Sequence, residues 1–502
     1  MPPAVLIVGA GPTGLMLALW LRRFNVPFRI IDAHEAPGEA SRALVVQART
    51  LEFYRQLGIA DEAIRRGIPI RALHIDESNS ERGRIDVGDI GTGVSPYPFM
   101  LSLPQDEHEQ FLVETLAALG VQVERNTELL QLTQNDDSLT ARIAAKGTEE
   151  TTEFAYVCGA DGSHSRVREC LKVEFIGGTY QQRFFVADVM TERAPPDMDL
   201  HMALSRDGFC LRMPVRSSGA QRLIGIVPAE LADTEVITFD SVQSAVEPLV
   251  GMKVTSVNWF STYHVHHRVA ERFRIGRAFL LGDAAHVHSP AGGQGMNTGL
   301  GDAVNLAWKL AAVIGGADET LLETYETERH AFANLLVNTT DRAFQMVVNP
   351  SKFGEIFRTW LLPHLVPFIF GLSTIKRATF NTVSQTRIDY RDSALSAGAV
   401  HDLHGGDRLP WIPYGDTDNF APLANLEWQI HVYGKTSKGL KQWTIDRAIR
   451  RYEFPANDAT AHASITPGSA YLVRPDGYIA VASETQDPAE FEKKLTRFGL
   501  HS

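Results

Sequence analysis

Cysteine is scarce in this chain: three among 502 residues, Cys158, Cys170 and Cys210, with no CxxC pair. An odd, dispersed set argues against a disulfide framework and against thiol–disulfide chemistry, and fits buried thiols in a reducing compartment. Positive charge is also short. Lys and Arg number 48 against 60 Asp and Glu, a formal net charge of −12, which argues against nucleic acid as a partner. No basic n-region, apolar h-region or cleavage site opens the sequence, so the expected location is cytoplasmic. Long apolar runs are missing too. The most apolar stretch, residues 360–375, is broken by Pro363 and Pro367 and is short for a membrane span. A buried or interdomain helix pair is expected there, not membrane contact. There is no internal repeat, no low-complexity tract and no second GxGxxG unit. Hydrophobic content of 44% and charged content of 22% are those of a globular protein of two or three domains.

What is present is concentrated in two glycine-bearing segments. The first follows the apolar strand Val5-Leu-Ile-Val8 and reads Gly9-Ala-Gly-Pro-Thr-Gly14, then a helical run from Leu15 to Phe24. Gly9 permits a tight turn, Gly11 lets a pyrophosphate approach, and Gly14 allows close helix–strand packing. A second strand, Phe28–Ile31, ends at Asp32, 23 residues after Gly9, where a carboxylate can accept hydrogen bonds from ribose hydroxyls. The second segment runs from Gly282 to Leu310, with Gly282, Gly292, Gly293, Gly295 and Gly299 in its first half and a helix in its second. Such a loop can aim several backbone N–H groups at one anionic atom, and the helix dipole adds positive potential. Together the two segments predict one dinucleotide with an end in each.

Three further blocks carry a resemblance: Asp161-Gly-Ser-His-Ser-Arg-Val-Arg168 after Tyr156-Val-Cys158, Gly276 to His286, and Pro290 to Gly299. With GAGPTG they resemble the class A, single-component FAD-dependent aromatic hydroxylases, most closely the larger members acting on phenols and aromatic polyketides. The resemblance implies an α/β fold: a Rossmann-like FAD-binding domain (residues 1–174 and 269–345, with 71–100 partly on the substrate side), an inserted antiparallel β-sheet substrate domain (175–268), a helical connector (346–396) and a thioredoxin-like C-terminal domain (397–502). It implies that Gly9, Gly11, Thr13 and Gly14 hold the FAD pyrophosphate and that Asp32, where the family has Glu, binds the adenosine ribose. It places Arg42 near the FAD phosphates, Gln105 by the ribityl chain, Leu129 by adenine, Asp161 in a motif serving both FAD and nicotinamide cofactor, and Asp283 near the ribityl chain. Pro290, Gly293, Gly295, Met296 and Asn297 would wrap the isoalloxazine ring. The implied activity is NAD(P)H- and O2-dependent hydroxylation of a phenolic or polycyclic aromatic through a flavin C4a-hydroperoxide, by a monomer or homodimer. Baeyer–Villiger insertion, oxidative decarboxylation and a non-catalytic ligand-binding flavoprotein are the alternatives.

Between Phe175 and Arg268 short strands are expected, including Phe184–Ala187, Leu200–Leu204, Phe209–Pro214, Leu223–Val227 and Val257–His264; Glu77 to Thr92, polar and glycine-rich, is expected to be a loop. Alternation puts Trp259, Ser261 and Tyr263 on one face and Phe260, Thr262 and His264 on the other. A phenol is a better nucleophile when deprotonated, so Tyr263, His264, His201 and Arg212 are the candidate catalytic helpers. His264, His266 and His267 lack the convergent ligands of a metal site, and no metal is expected. The C-terminal region reads as strands at Trp428–Tyr433, Ala470–Val473 and Tyr478–Ala482, with helices at Lys438–Trp443 and Asp487–Phe498. Arg474-Pro-Asp-Gly477 forms a turn between the last two strands.

Overall fold

The computed structural model describes residues 4–38, 43–77, 80–193, 197–205, 208–216, 218–231, 233–348 and 373–500. All four residues of the strand Val5–Val8 are buried because it is central in a five-stranded sheet. Parallel neighbours Phe28–Ile31 and Tyr156–Gly159 flank it, Ala278–Leu280 follows in parallel, and Arg274–Ile275 closes the edge antiparallel. A parallel sheet needs crossovers and covering helices. Helix α1 (Pro12–Arg23) supplies the first crossover, buried from Gly14 to Leu21, which explains its shortage of polar residues. Helix α2 (Ala48–Leu57) is buried at nine of ten positions.

The substrate-side sheet has eight strands, in the order His286–Val287, Val254–Ala270, Phe175–Thr191, Gln221–Ile226, Phe209–Pro214, Leu200–Leu204, Ala72–Glu77 and Ser80–Asp86. Its two longest strands pair over 17 residues each, with register shifts. The loop expected from Glu77 to Thr92 is corrected here: Ser80–Asp86 is an edge strand antiparallel to Ala72–Glu77. Only Ile85 in it is buried. An edge strand needs one apolar contact to be held and keeps charge elsewhere, so its composition imitates a loop.

The sheet's two faces have different covers. On one face, Phe185, Ala187, Val189, Cys210 and Leu223 pack against helix α3 (Phe239–Val250) through Phe239, Val242 and Val246. On the other, Phe184, Leu204, Leu211, Ile226 and Tyr263 pack with Ile90 and Met100, and Met190, Leu200 and Met213 pack with Leu44 and Val45. That second face therefore looks toward the parallel-sheet unit.

Helix α4 (Gly295–Ile314) is buried from Asn297 to Leu310, which accounts for its nearly all-round apolar sequence. The C-terminal residues form a mixed four-stranded sheet, Arg450–Phe454, Gln429–Tyr433, Ala470–Val473, Ile479–Ser483, with the first pair parallel and the others antiparallel. Helices Lys438–Asp446 and Pro488–Arg497 form where the sequence places them. Of the apolar run at 360–375, residues 360–372 lie outside the described residues. Among the described residues no helix is long and apolar enough to cross a membrane.

Candidate functional site

The two glycine segments are in direct contact. Thr13, at the start of α1, sits so close to Gly282 and Gly299 that a Cβ at either would lie 2.6 and 2.3 Å from Thr13 Oγ1. Only glycine at 282 and 299 lets α1 and α4 meet at this point. The first turn is as tight: a Cβ on Gly14 would lie 2.0 Å from the Gly9 carbonyl oxygen, and one on Gly9 would lie 2.3 Å from the Ala160 oxygen. Gly9 has φ +100°, a region disfavoured for side-chain-bearing residues. Gly11, by contrast, has open space where its Cβ would be, the room a pyrophosphate needs.

Asp32 ends its strand beside this turn. Its Oδ2 accepts from the Ala10 N–H at 2.7 Å and its Oδ1 from the His34 N–H at 2.8 Å, with Arg125 3.6 Å away. The carboxylate is thus fixed at the rim of the glycine turn. Gln105 opens the helix Gln105–Ala118; it accepts from the Ala43 N–H at 3.3 Å and donates to Glu109 at 2.8 Å. Leu129 is buried, and the strand register shifts between it and Gln131. Arg42 lies outside the described residues. Asp161 is bonded to the start of the helix Arg166–Cys170, whose N-cap is Ser165: its carboxylate accepts from Ser165 Oγ at 2.5 Å and the Val167 N–H at 3.0 Å, and burial raises its pKa. The neighbouring Arg168 makes the long-range link, donating to the Ala284 and Ser163 carbonyls.

Around the second loop, Gly292 and Gly293 have φ of +76° and +62°. Pro290 and Asp283 are exposed. Asn297 is fully engaged: its amide donates to the Val45 and Gly293 carbonyls, and its oxygen accepts from the Gln47 N–H and Thr50 Oγ1, all at 2.8–2.9 Å. Its side chain is the pin of the loop, and only its backbone remains for a ligand. The first intrahelical N–H bond of α4 reaches from Thr298 to Gln294, so the Gly295, Met296 and Asn297 N–H groups precede the helical ladder. No side chain caps this helix start. Buried polar atoms without partners cluster here: Gln47 Oε1, His288 Nε2 and Ser289 Oγ. An uncapped helix N-terminus and orphaned polar atoms fit a large polar ligand with an anionic edge.

Behind the loop lies a network that the sequence did not suggest. Asp302 accepts from the Gly282 N–H at 3.0 Å, His286 Nε2 at 2.8 Å and Arg329 Nε at 2.6 Å. Burial alone would raise its pKa, but Arg329 and His286 hold it below the ordinary range. The available signal was an Asp and a Lys inside an otherwise apolar helix. One and two turns further along α4, Asn305 and Lys309 donate to Glu328, which also takes both terminal nitrogens of Arg474.

The four candidate helpers separate by face. Tyr263 pairs with Phe184, and their ring centroids are 6.0 Å apart, on the face toward the parallel-sheet unit. His264 pairs with Arg183 on the opposite face and is exposed. His201 pairs with Arg212 and with His74 on that same opposite face. Strand pairing thus sets Tyr263 on the inward face and His264, His201 and Arg212 on the outward one, a choice that alternation along one strand leaves open. His264→Gln and His201→Gln are therefore expected to leave turnover within about twofold, while Tyr263→Ala lowers kcat/KM by about 10-fold or more, as loss of a positioning contact does. Steady-state kinetics on the three variants checks this.

Two buried histidines and the half-buried His288 carry a pH prediction. Burial lowers the pKa of His108 and His431 to about 3, and burial with nearby His286 lowers that of His288 to about 4. Each is neutral when folded and protonates near 6.5 when unfolded. Their contribution to stability is complete above pH 6.5 and is lost progressively as pH falls toward 4. Denaturation midpoints should hold level from pH 7.5 to about 6.5 and fall steadily from there to about 4.5, with net proton uptake on unfolding.

Residues 3–340 match the family model described as FAD binding domain. The chain is 36% identical to the 6-methylpretetramide 4-monooxygenase of Streptomyces rimosus, over 99% of this chain and 94% of that one. It is 34% identical to the dialkyldecalin synthase of Streptomyces rugosporus, over 71% and 75%. An aromatic hydroxylase from angucycline biosynthesis superposes with a TM-score of 0.81 at 27% identity, covering all of both chains. The chain belongs to the FAD binding domain family and, within it, to the FAD-dependent aromatic monooxygenases.

Proposed function

We propose that this protein hydroxylates a flat, phenolic or polycyclic aromatic substrate, and that one FAD spans its two glycine segments. The contact of Thr13 with Gly282 and Gly299 carries this reading, because it joins the two ends of the site. Gly9, Gly11 and Gly14 would admit the pyrophosphate, Asp32 would hold the adenosine ribose, and Gln105 and Asp283 would lie along the ribityl chain. The Gly293–Asn297 backbone would face the flavin ring. Bound FAD supplies the redox chemistry, taking reducing equivalents from NAD(P)H and delivering one oxygen atom of O2 to the substrate.

The chain's own contribution is placement. The N–H groups at the start of α4 stabilise negative charge at a ring edge. Met202, Leu211 and Ile226, partly buried on the inward face, offer an apolar wall that excludes water and favours a planar ring. Tyr263 can exchange a hydrogen bond with a substrate hydroxyl and orient it. The C-terminal strand order, a parallel pair followed by an antiparallel hairpin and a helix, supports a thioredoxin-like unit without redox cysteines.

The test is turnover under 18O2 with a panel of phenols and aromatic polyketides. One labelled oxygen per product, with ligand-stimulated NAD(P)H oxidation, supports the proposal. Absence of stimulation by every ligand sinks it.

A further inference from the structure

We propose that the outward face of the substrate-side sheet carries a binding site for a divalent transition metal such as Zn2+, formed by His74, His201 and Asp197. These three bring donor atoms within 4.8 Å of one another. His74 and His201 are neighbours across paired parallel strands, Ala72–Glu77 and Leu200–Leu204, and their rings stack at 4.3 Å.

Three features point to a cation. First, each imidazole has its Nδ1 held by its own carboxylate: His74 by Glu81 at 2.8 Å and His201 by Asp76 at 2.8 Å. A carboxylate on the far nitrogen is the arrangement that orients a metal-ligating histidine and raises its basicity. Second, both Nε2 atoms look to one segment, His201 to Asp197 at 3.0 Å and His74 to Asp199 at 3.3 Å. Asp199 is also tied to the Arg71 and Ala72 N–H groups, so that segment is fixed against the sheet. Third, negative charge is in excess. Four carboxylates, Asp76, Glu81, Asp197 and Asp199, surround two imidazoles, with Arg212 3.6 Å from Asp197 as the adjacent cation. Two nitrogens and a carboxylate oxygen suit a borderline metal, with a fourth position for water or Asp199.

Donors on one tetrahedral zinc ion stand about 3.4 Å apart, from bond lengths near 2.1 Å. The rings lie within 6° of parallel, and because an ion lies in the plane of each imidazole that binds it, binding requires the rings to swing out of the stack until both Nε2 atoms converge on one point. The bound ion would staple strands that are 127 residues apart in sequence. Because Tyr263 faces the other way, the site is a structural one, remote from oxygen transfer.

The test uses the full-length, FAD-loaded protein after chelator treatment, titrated with Co2+ as a spectroscopic substitute for Zn2+. One equivalent is expected to bind, with the visible absorption of tetrahedral nitrogen–oxygen ligation and a higher melting temperature. His201→Gln should abolish that spectrum. Glu81→Gln, on the exposed edge strand and outside the ligand set, should weaken affinity by about 10–100-fold. If the wild-type protein takes up no Co2+ or Zn2+ at millimolar concentration, or if uptake is unchanged in His201→Gln and Glu81→Gln, the cluster is an ion-pair lattice only and the proposal is wrong.

Discussion

Gly14→Ala should yield a chain that purifies without flavin and regains FAD only at greatly raised concentration. The added Cβ would lie 2.0 Å from the Gly9 carbonyl oxygen and 3.4 Å from Ala160 Cβ. The first obstacle is backbone, so no side-chain rotation relieves it. Either α1 moves away from the strand ends or the Gly9 turn opens, and both displace the N–H groups that a pyrophosphate would use. Overpacking costs about 1–3 kcal/mol, occasionally more, and a backbone obstacle puts this site at the upper end, which corresponds to about 100-fold in affinity. Flavin content at 450 nm per chain, followed by FAD titration of the apoprotein, measures it. Gly11→Ala is the informative contrast: its Cβ meets nothing within 4 Å in the protein, so folding should survive while FAD affinity falls. If Gly14→Ala retained full flavin content, the turn geometry described here would be wrong.

Arg474→Ala should be the most destabilising single change in the C-terminal unit. Its guanidinium is fully buried and lies between Glu328, at 2.8 and 3.0 Å, and Asp476, at 2.6 and 3.0 Å. Burial by itself would lower its pKa, but Asp476 and Glu328 more than reverse that. Removing it leaves Glu328 with Lys309, Asn305 and Ser393, and Asp476 with Trp308 Nε1 at 3.0 Å, each short of one positive partner. Breaking a buried pair in this way costs about 3–5 kcal/mol. The effect should reach the flavin, because Glu328 also grips α4 through Lys309, and the far end of α4 is the Gly295–Asn297 helix start. Urea denaturation should show the stability loss, and Arg474→Ala protein should release FAD at lower denaturant than it loses helical signal. Arg451→Ala, a partly exposed change in the same unit, should stay within about 1 kcal/mol.

The nucleotide-binding half was legible because its chemistry is local. Strand, glycine turn, helix, strand and acid fall in order within residues 5–32, and each glycine has a steric reason visible at that spacing. The second loop was legible for the same reason. What the sequence left open depends on pairing across distance. Strand alternation correctly separated Tyr263 from His264, but the choice of inward face needed the partners of Phe184 and Arg183. Ser80–Asp86 was misread because an edge strand buries so little. That the side chains of Asn297 and Asp161 are bonded within the protein was not legible either, because their partners at Val45, Gln47, Ser165 and Val167 are fixed only by the folded loops. The buttress of Asp302, Glu328, Arg329 and Arg474 joins residues up to 172 positions apart, and nothing local announces it beyond charges in an apolar helix.

Fold and family alone do not fix the reaction, since relatives of one architecture bear names of different chemistries. What the account adds is a specific placement: one FAD, adenosine at Asp32 and ring at the start of α4. The most direct measurement is a crystal structure of the FAD-loaded protein. The account predicts the adenosine ribose hydrogen-bonded to Asp32 and the isoalloxazine edge facing the Gly295–Asn297 N–H groups, beneath Tyr263. FAD bound elsewhere, or in contact with one glycine segment but not the other, would contradict it.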